Sequence, residues 1–245
     1  MIHALIFAGG SGTRMKSEDL PKQFIDIDGK PIIIRTLEHF SSHILVDDIV
    51  IVCLESWIGY LEQLLKDYSI GKVVSIVSGG RNGFESIHNG LMKLREFSSE
   101  DDIVLICDGV RPILSAQLID DCIQNTQLYE TAVPVTPSID SVLLSEDGLQ
   151  CSRNISRKFV YITQAPQGYR MAKVLWAHAE AERQGRTDTV STADLMIELG
   201  ENIHLFPGER NNIKVTTPED LLSLRSNYYY EHYKRFAKEE LKYGL

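Results

Sequence analysis

Residues 2–15 read IHALIFAGGSGTRM, an apolar run that leads directly into a glycine-rich loop. The run Ile2–Phe7 has the length and the continuous apolar character of a buried strand. Glycines let the backbone approach an anion closely and point its N–H groups at it. Because open α/β sheets bind ligands at the carboxyl ends of their strands, this junction predicts a phosphate-binding loop on an α/β fold.

Apolar runs and helical patterns alternate along the chain beyond this junction. Further strands are predicted at Ile49–Cys53, Val73–Val77, Ile103–Cys107 and Thr131–Val135. Helices are predicted at Pro31–Phe40, Ser56–Tyr68, Phe84–Arg95 and Ser115–Gln124. Short apolar strands that alternate with helices are typical of an α/β fold with a Rossmann-like, mostly parallel sheet flanked by helices.

The pattern changes after Pro137. Two strand-like segments flank Asp147-Gly148, a dipeptide that favours a hairpin turn. We therefore predict a β-arm over about residues 137–162 that projects from the sheet. The arm either pairs with a second copy of the chain, which would make a homodimer, or forms a simple surface hairpin, and the pattern favours neither.

Regular patterns return beyond the arm. A helix is predicted at Met171–Gln184, strands follow at Ile203–Phe206 and Ile213–Val215, and Thr217-Pro218 suits the start of a last helix. We predict one domain over residues 1–225 and a C-terminal helical extension over residues 226–245.

Composition narrows the classes of function. The 245 residues carry a formal net charge of −9, which argues against a nucleic-acid partner because binding to its phosphates requires a basic face. The four cysteines are widely spaced, so neither a disulfide scaffold nor a zinc site is expected. The sequence shows no signal peptide and no apolar stretch of membrane-spanning length. We therefore expect a cytoplasmic protein with no membrane partner.

The first loop fits neither of two common glycine-loop motifs. The dinucleotide motif GxGxxG lacks its third glycine here, and the Walker motif lacks its Gly-Lys-Ser/Thr. Instead, Arg14 and Lys22 follow the glycines. Two cations beside an anion-binding loop suit a triphosphate, because they offset the charge that develops as phosphoryl bonds rearrange.

Several short motifs, in their order and spacing, resemble those of the methylerythritol-phosphate and ribitol-phosphate cytidylyltransferase family. They are AGGSGTRM (8–15), LPKQ (20–23), GG (79–80) with Ser86, DGVRP (108–112), Arg157, APQ (165–167), NIKVT (212–216) and PED (218–220). The resemblance runs to about Leu222. It implies a sheet of the nucleotide-diphospho-sugar transferase type.

The resemblance also implies a role for each matching residue. Arg14, Lys22 and Lys214 would be catalytic, holding the triphosphate of CTP and stabilising the transition state. Asp108 would hold Mg²⁺ between the phosphates. The nucleotide-binding residues would be Ala8, Gly9, Gly10, Gly12, Gly79, Gly80, Ser86 and Asp108. The residues that bind the acceptor substrate would be Arg111, Asp140, Arg157 and Thr192.

The reaction implied is attack by the phosphate of a polyol phosphate on the α-phosphorus of CTP, giving a CDP-polyol and pyrophosphate. Residues 136–141, TPSIDS, resemble the ribitol branch more than the erythritol branch. Ribitol 5-phosphate is therefore the first acceptor to consider, for a surface polymer such as teichoic acid or capsule. Methylerythritol 4-phosphate for isoprenoid synthesis, and glycerol phosphate or another alditol phosphate, stay open.

Two interpretations lie outside this class. A nucleotide-dependent reductase would use the same loop, with Glu55 after the second strand and a Tyr-x-x-x-Lys pair at 169–173 or at 230–234. An inactive nucleotide-binding module would explain why Gly83, Cys107 and Gly109 depart from the family pattern. Neither interpretation accounts for the joint presence of the loop cations, Asp108 and Lys214.

Overall fold

The computed structural model describes residues 1–10, 20–189 and 191–243, and it describes side chains up to residue 230. The strands are β1 (Ile2–Ala8), β2 (Asp26–Ile27), β3 (Lys30–Pro31), β4 (Asp48–Cys53), β5 (Val73–Ser78), β6 (Ile103–Asp108), β7 (Thr131–Pro137), β8 (Val142–Leu144), β9 (Arg153–Ile155), β10 (Tyr161–Thr163), β11 (Gln167–Arg170) and β12 (Leu205–Pro207). The α-helices are α1 (Ile32–Ser41), α2 (Ile58–Asp67), α3 (Gly83–Arg95), α4 (Ala116–Tyr129), α5 (Met171–Gln184), α6 (Thr192–Glu198) and α7 (Pro218–Tyr243).

Eight strands form the central sheet, in the order β10-β7-β11-β6-β1-β4-β5, with β12 paired to β7. Strands β6, β1, β4 and β5 run parallel to one another, and β11 lies antiparallel between β6 and β7. The predicted mostly parallel α/β sheet is confirmed. Because β1 lies between β4 and β6, its carboxyl end opens between two neighbouring strand ends, which is where such sheets bind ligands.

Both faces of the sheet are covered by helices. All six residues of β4 are buried, as expected of a strand with helices on both sides. Alternate residues of β1 belong to two separate apolar clusters, with Ile6 in one and Leu5 in the other. Helix α3 lies close to β1 because residue 90 is glycine: a Cβ there would lie 2.4 Å from Leu5 Cδ1. This approach places the amino end of α3 beside the end of β1.

The predicted arm is a hairpin. Strands β8 and β9 pair antiparallel with Val142 opposite Ile155. Between them the Asp147 carboxylate accepts the N–H groups of Leu149 and Gln150, and Gly148 takes a positive φ of 72°. An Asp-Gly turn favours this conformation because glycine enters the left-handed region without steric cost.

Two predictions of local structure are wrong, and some short elements were not predicted. The segment Ile213–Val215 is not a strand. The Val215 N–H donates a single backbone hydrogen bond to the Val110 carbonyl at 2.9 Å. Strand β12 begins at Leu205 rather than Ile203. Strand β11 and helix α6 were not predicted, because four and seven residues are too few for a clear period. In each case tertiary contacts override a weak local pattern.

Helix α7 runs without a break across the predicted domain boundary at residue 225. Leu224 is buried, and the Tyr228 hydroxyl donates to the Pro112 carbonyl at 3.2 Å. The division of the chain into a domain and an extension stays a prediction. None of the helices in the described ranges combines the length and the apolar character needed to cross a membrane.

The amino end of the sheet holds a buried charge network. The His3 imidazole lies between Asp48, at 2.8 Å, and Asp102, at 3.2 Å. Burial alone would lower the pKa of His3, but the hydrogen bonds and charges of the two carboxylates outweigh it and raise that pKa. This network lies at the opposite end of the strands from the predicted site, so we assign it to stability.

Candidate active site

The glycine loops at the ends of β1 and β5 lie against each other. A Cβ on Gly9 would lie 3.6 Å from Gly79 Cα and 3.3 Å from Ser86 Oγ. The Ser86 hydroxyl accepts the Gly80 N–H at 2.9 Å and donates to the Asn82 carbonyl at 2.7 Å. These distances leave little room for side chains. The structure therefore brings Gly9, Gly79, Gly80 and Ser86 together into one surface, here called the glycine cradle.

Gln23 binds the backbone of the first glycine loop at residues 8 and 10. Its side-chain amide donates to the Ala8 carbonyl at 2.7 Å and to the Gly10 carbonyl at 3.5 Å. Lys22 begins the short 3₁₀ helix that contains Gln23. Two predicted site residues, Gly12 and Arg14, lie outside the described residues.

Asp108 is the last residue of β6, beside the cradle, and it forms ion pairs with two basic side chains. Its Oδ1 lies 2.6 Å from Lys214 Nζ, and its Oδ2 accepts the Arg111 Nε–H at 2.9 Å. Burial alone would raise the pKa of this carboxyl, but the charges of Arg111 and Lys214 outweigh it and hold the pKa below its usual range. Asp108 is therefore ionised at neutral pH and offers a fixed negative charge at the end of the strand.

Residue 109 links Asp108 to the first loop. The Gly109 N–H donates to the Phe7 carbonyl at 2.8 Å, and a Cβ on Gly109 would lie 3.2 Å from Ala8 Cβ. The carboxyl ends of β1 and β6 are therefore in direct contact. Asp108 and the cradle share one edge of the sheet.

Arg111 is buried, with 7% of its surface exposed. Besides Asp108, its guanidinium binds the Asn212 backbone carbonyl at 3.1 Å and side-chain oxygen at 3.3 Å. Its Nε and Nη1 are thus engaged within the protein, although the residue borders the cleft. Binding of the acceptor by Arg111 stays a prediction.

A cleft of about 270 Å³ opens beside Asp108 and Lys214. Its walls are Phe7, Gly83, Ile87, Ile106, Cys107, Asp108, Arg111, Thr163, Gln164, Ala165, Gln167, Ser191, Thr192, Asp194 and Lys214. Thr192, a predicted acceptor residue, lies on this wall, and its buried hydroxyl has no hydrogen-bond partner among the described residues. A buried hydroxyl without a partner is costly, so a ligand that bonds to it would gain affinity.

Asp140 and Arg157 lie apart from this cleft. Both are exposed at the base of the arm, where the Arg157 guanidinium donates to the Ile139 carbonyl at 3.2 Å. Neither borders the cleft in a single chain. Their contact with the acceptor stays a prediction.

Sequence reasoning assigned no site role to four polar residues that shape the cleft. Gln164, Gln167 and Asp194 border it, and Asn212 binds Arg111 behind it. Asn212 and Gln167 belong to the NIKVT (212–216) and APQ (165–167) motifs on which the family resemblance rests. Gln164 and Asp194 gave no signal of their own, because an isolated polar residue is usually a surface residue.

The structure gives no support to the reductase interpretation. Tyr169 is fully buried, and its hydroxyl donates to the Gln167 side chain at 2.7 Å. Lys173 forms an ion pair with Glu201 at 2.8 Å. The Tyr-x-x-x-Lys pattern at 169–173 is therefore explained by packing and an ion pair.

The family model of 2-C-methyl-D-erythritol 4-phosphate cytidylyltransferase (IspD) matches residues 2–228. The chain belongs to this family. The match covers the sheet, the cradle, Asp108 and Lys214, which makes the protein a member of a family of cytidylyltransferases. The resemblance predicted from the sequence motifs is confirmed.

Relatives of the chain fall into two branches of this family. A ribitol-5-phosphate cytidylyltransferase of Vibrio parahaemolyticus is 36% identical over 223 residues, which covers 91% of this chain and 94% of the relative. One from Streptococcus agalactiae is 34% identical over 91% of this chain and 93% of the relative. A 2-C-methyl-D-erythritol 4-phosphate cytidylyltransferase of Geobacillus thermodenitrificans is 36% identical over 89% of this chain.

The fold is shared with solved structures. The crystal structure of 4-diphosphocytidyl-2C-methyl-D-erythritol synthase from Anaerococcus prevotii superposes with a TM-score of 0.79. The alignment covers 93% of this chain and 96% of that structure, at 24% sequence identity. At this identity the likeness supports the fold.

Proposed function

We propose that this protein transfers the cytidylyl group of CTP to the phosphate of ribitol 5-phosphate. An oxygen of the acceptor phosphate forms a bond to the α-phosphorus of CTP. The bond from that phosphorus to the bridging oxygen of the β-phosphate breaks, and its electron pair leaves with pyrophosphate. The products are CDP-ribitol and pyrophosphate. No strong general base is needed, because a phosphate monoester is largely dianionic at neutral pH.

The observation that carries the proposal is the position of the glycine cradle and the Asp108–Lys214 pair along one edge of the sheet, where Gly109 contacts Phe7 and Ala8. The cradle provides closely packed small residues, so a nucleotide can approach the backbone there without meeting side chains. Lys214, whose side chain is 42% exposed, provides a cation for the phosphates. Catalysis would then depend on positioning and on charge stabilisation, as in other phosphoryl transfers.

Asp108 fits the role of a Mg²⁺ ligand. It is an ionised carboxylate at the end of a strand, and it already attracts two cations. Mg²⁺ commonly takes only one or two protein carboxylates and completes its shell with substrate phosphates and water. Bound there, the ion would neutralise charge on the triphosphate. Asp108 would hold it, and Lys214 would be freed to reach the phosphates.

The choice of acceptor rests on the relatives. Ribitol-5-phosphate cytidylyltransferases are among the most similar of them, at 33–36% identity. The second candidate is 2-C-methyl-D-erythritol 4-phosphate, because enzymes named for it are 36–37% identical and give the family model its name. Percentage identity therefore does not separate the two acceptors. Ribitol 5-phosphate is placed first because the ribitol enzymes match this chain ahead of the erythritol enzymes, and because residues 136–141, TPSIDS, resemble the ribitol branch.

The test is pyrophosphate release from CTP and Mg²⁺ with ribitol 5-phosphate, 2-C-methyl-D-erythritol 4-phosphate, glycerol 3-phosphate or arabinitol 5-phosphate. We expect kcat/KM for ribitol 5-phosphate to exceed the others by about tenfold or more, because correctly placed acceptor hydroxyls contribute more than 1.4 kcal/mol. A higher kcat/KM for 2-C-methyl-D-erythritol 4-phosphate would assign the protein to the methylerythritol-phosphate branch of the family instead. Release without any acceptor would indicate CTP hydrolysis and contradict the proposal.

We also propose that two copies pair through the arm. The arm and its base expose large apolar side chains, among them Leu143 (65% exposed) and Phe159 (72% exposed). Exposed apolar side chains concentrated on one element suggest a contact surface. A second copy would also explain why Asp140 and Arg157 lie away from the cleft of their own chain.

The free thiols of all four cysteines suit a cytoplasmic location, where CTP is made.

A further inference from the structure

The segment that carries Lys214 forms no helix or strand between Gly208 and Val215. Its ends are fixed by two backbone hydrogen bonds, from the Gly208 N–H to the Val135 carbonyl at 2.8 Å and from the Val215 N–H to the Val110 carbonyl at 2.9 Å. Between these ends, backbone hydrogen bonds from the Asn212 N–H to the Glu209 carbonyl at 3.0 Å and from the Ile213 N–H to the Asn211 carbonyl at 2.8 Å shape local turns. Side-chain contacts attach these turns to the rest of the fold.

The Ser115 hydroxyl donates to the Glu209 carboxylate, and Gln164 binds the backbone of the same residue. The Gln164 side-chain amide donates to the Glu209 carbonyl at 2.7 Å, and its Oε1 accepts the Glu209 N–H at 3.0 Å. The amide is 7% exposed, so both bonds form away from solvent. The approach requires glycine at residue 208, where a Cβ would lie 2.2 Å from Gln164 Oε1.

The next residues continue the connection toward Asp108. The Asn212 side chain donates to the Ala165 carbonyl at 2.6 Å, and Arg111 binds the Asn212 carbonyl at 3.1 Å. Arg111 and Lys214 then share the two oxygens of Asp108. The segment is thus held from one side by residues 164–165 and from the other by Arg111.

We propose that Gln164 is a positioning residue for the transfer. By pairing with both backbone groups of Glu209, it holds the 208–215 segment so that the Lys214 ammonium faces the cleft. The inference rests on the proposed function, because it concerns the cation assigned to the triphosphate. Gln164 also directly follows β10, which pairs with β7 at the base of the arm.

The test is binding of CTP and of CMP, each with Mg²⁺, to Gln164→Met by calorimetry. Methionine keeps the volume but removes both hydrogen bonds. We expect CTP affinity to fall about tenfold, as for a displaced charged group, while CMP affinity stays within about twofold. CMP lacks the two outer phosphates that Lys214 would contact. In a Lys214→Met background, Gln164→Met should cause no further loss of CTP affinity.

Thr126→Val is the matched control, because it removes one buried hydroxyl donor, to the Cys122 carbonyl at 2.7 Å, at a residue that does not border the cleft. It should leave both affinities unchanged. Unchanged CTP affinity in Gln164→Met, an equal loss for CTP and CMP, or an additive loss in the double variant would overturn the inference alone. Absence of CTP binding by the wild type would overturn the proposed function and this inference with it.

Gln164→Glu provides the same test if the methionine variant does not fold. An ionised carboxylate would face the Glu209 carbonyl, whereas the protonated acid can donate to it as the amide does. We expect the CTP affinity of this variant, relative to wild type at each pH, to recover as the pH falls. A constant ratio would overturn the role of Gln164 as a donor.

Discussion

Lys214→Met is expected to reduce kcat/KM for cytidylyl transfer by about 10²–10³-fold, the usual cost of removing one group that stabilises transition-state charge. The methionine side chain fills a similar volume but cannot bind a phosphate. Asp108 keeps its bond to Arg111 in this variant, so the fold should survive. The measurement is steady-state pyrophosphate release together with circular dichroism of the variant.

Lys173→Met is the control for this variant. Lys173 also forms a short ion pair, with Glu201 at 2.8 Å, but it does not border the cleft. Its loss should leave kcat/KM within about twofold, since surface ion pairs contribute little. A folded Lys214→Met protein with near-wild-type turnover would refute the catalytic role of Lys214.

His178→Leu is expected to make the protein more resistant to acid. His178 is buried, and its ring stacks on Phe84 with centroids 4.6 Å apart. Neither ring nitrogen has a hydrogen-bond partner among the described residues. Burial, with a smaller effect from the nearby His88, lowers the pKa of His178 to about 3. The folded protein therefore keeps this imidazole neutral at pH values where the unfolded chain protonates it.

Because of this difference in pKa, the free energy of unfolding of the wild type decreases as the pH falls. A histidine whose folded pKa is depressed contributes its stability above the unfolded value near 6.5, and that contribution is lost as the pH falls toward the folded value. Between about pH 7 and about pH 5, the loss from His178 amounts to about 2 kcal/mol. In His178→Leu this part of the loss should disappear, as measured by urea unfolding at several pH values.

Val174→Ala provides the comparison for this experiment. Val174 is buried on the same helix, α5, and belongs to the same apolar cluster. Its truncation should lower the free energy of unfolding by a similar amount at every pH, because no titratable group changes. If His178→Leu kept the full acid sensitivity of the wild type, the assignment to His178 would be wrong.

The central strands were predictable because their sequences are continuously apolar. The runs in β1, β4 and β6 have few polar residues, and a strand buried on both faces needs this composition. Strand β11 reads QGYR and has no such signal. It becomes a strand because β6 and β7 offer hydrogen-bonding edges on either side of it. Pairing between distant segments has no local sequence signature.

The site could be predicted in part for the same reason. Gly9, Gly79 and Asp108 each follow an apolar run, so their position at one edge of the sheet follows from the strand pattern. The contact between Lys214 and Asp108 could not be deduced, since Lys214 lies in a segment without regular structure. Its place depends on Gln164 and Asn212, whose partners are backbone atoms that no residue type reveals.

The central claim is that this chain moves a cytidylyl group from CTP to a polyol phosphate, and ³¹P NMR tests it most directly. Wild-type protein would be mixed with CTP, Mg²⁺ and ribitol 5-phosphate, and the spectrum followed over time. We predict that the triphosphate and monoester signals decline together while signals of inorganic pyrophosphate and of a CDP-type diphosphate diester grow in equal amounts. If folded protein left the spectrum unchanged with ribitol 5-phosphate and with each other acceptor of the panel, the account would be contradicted.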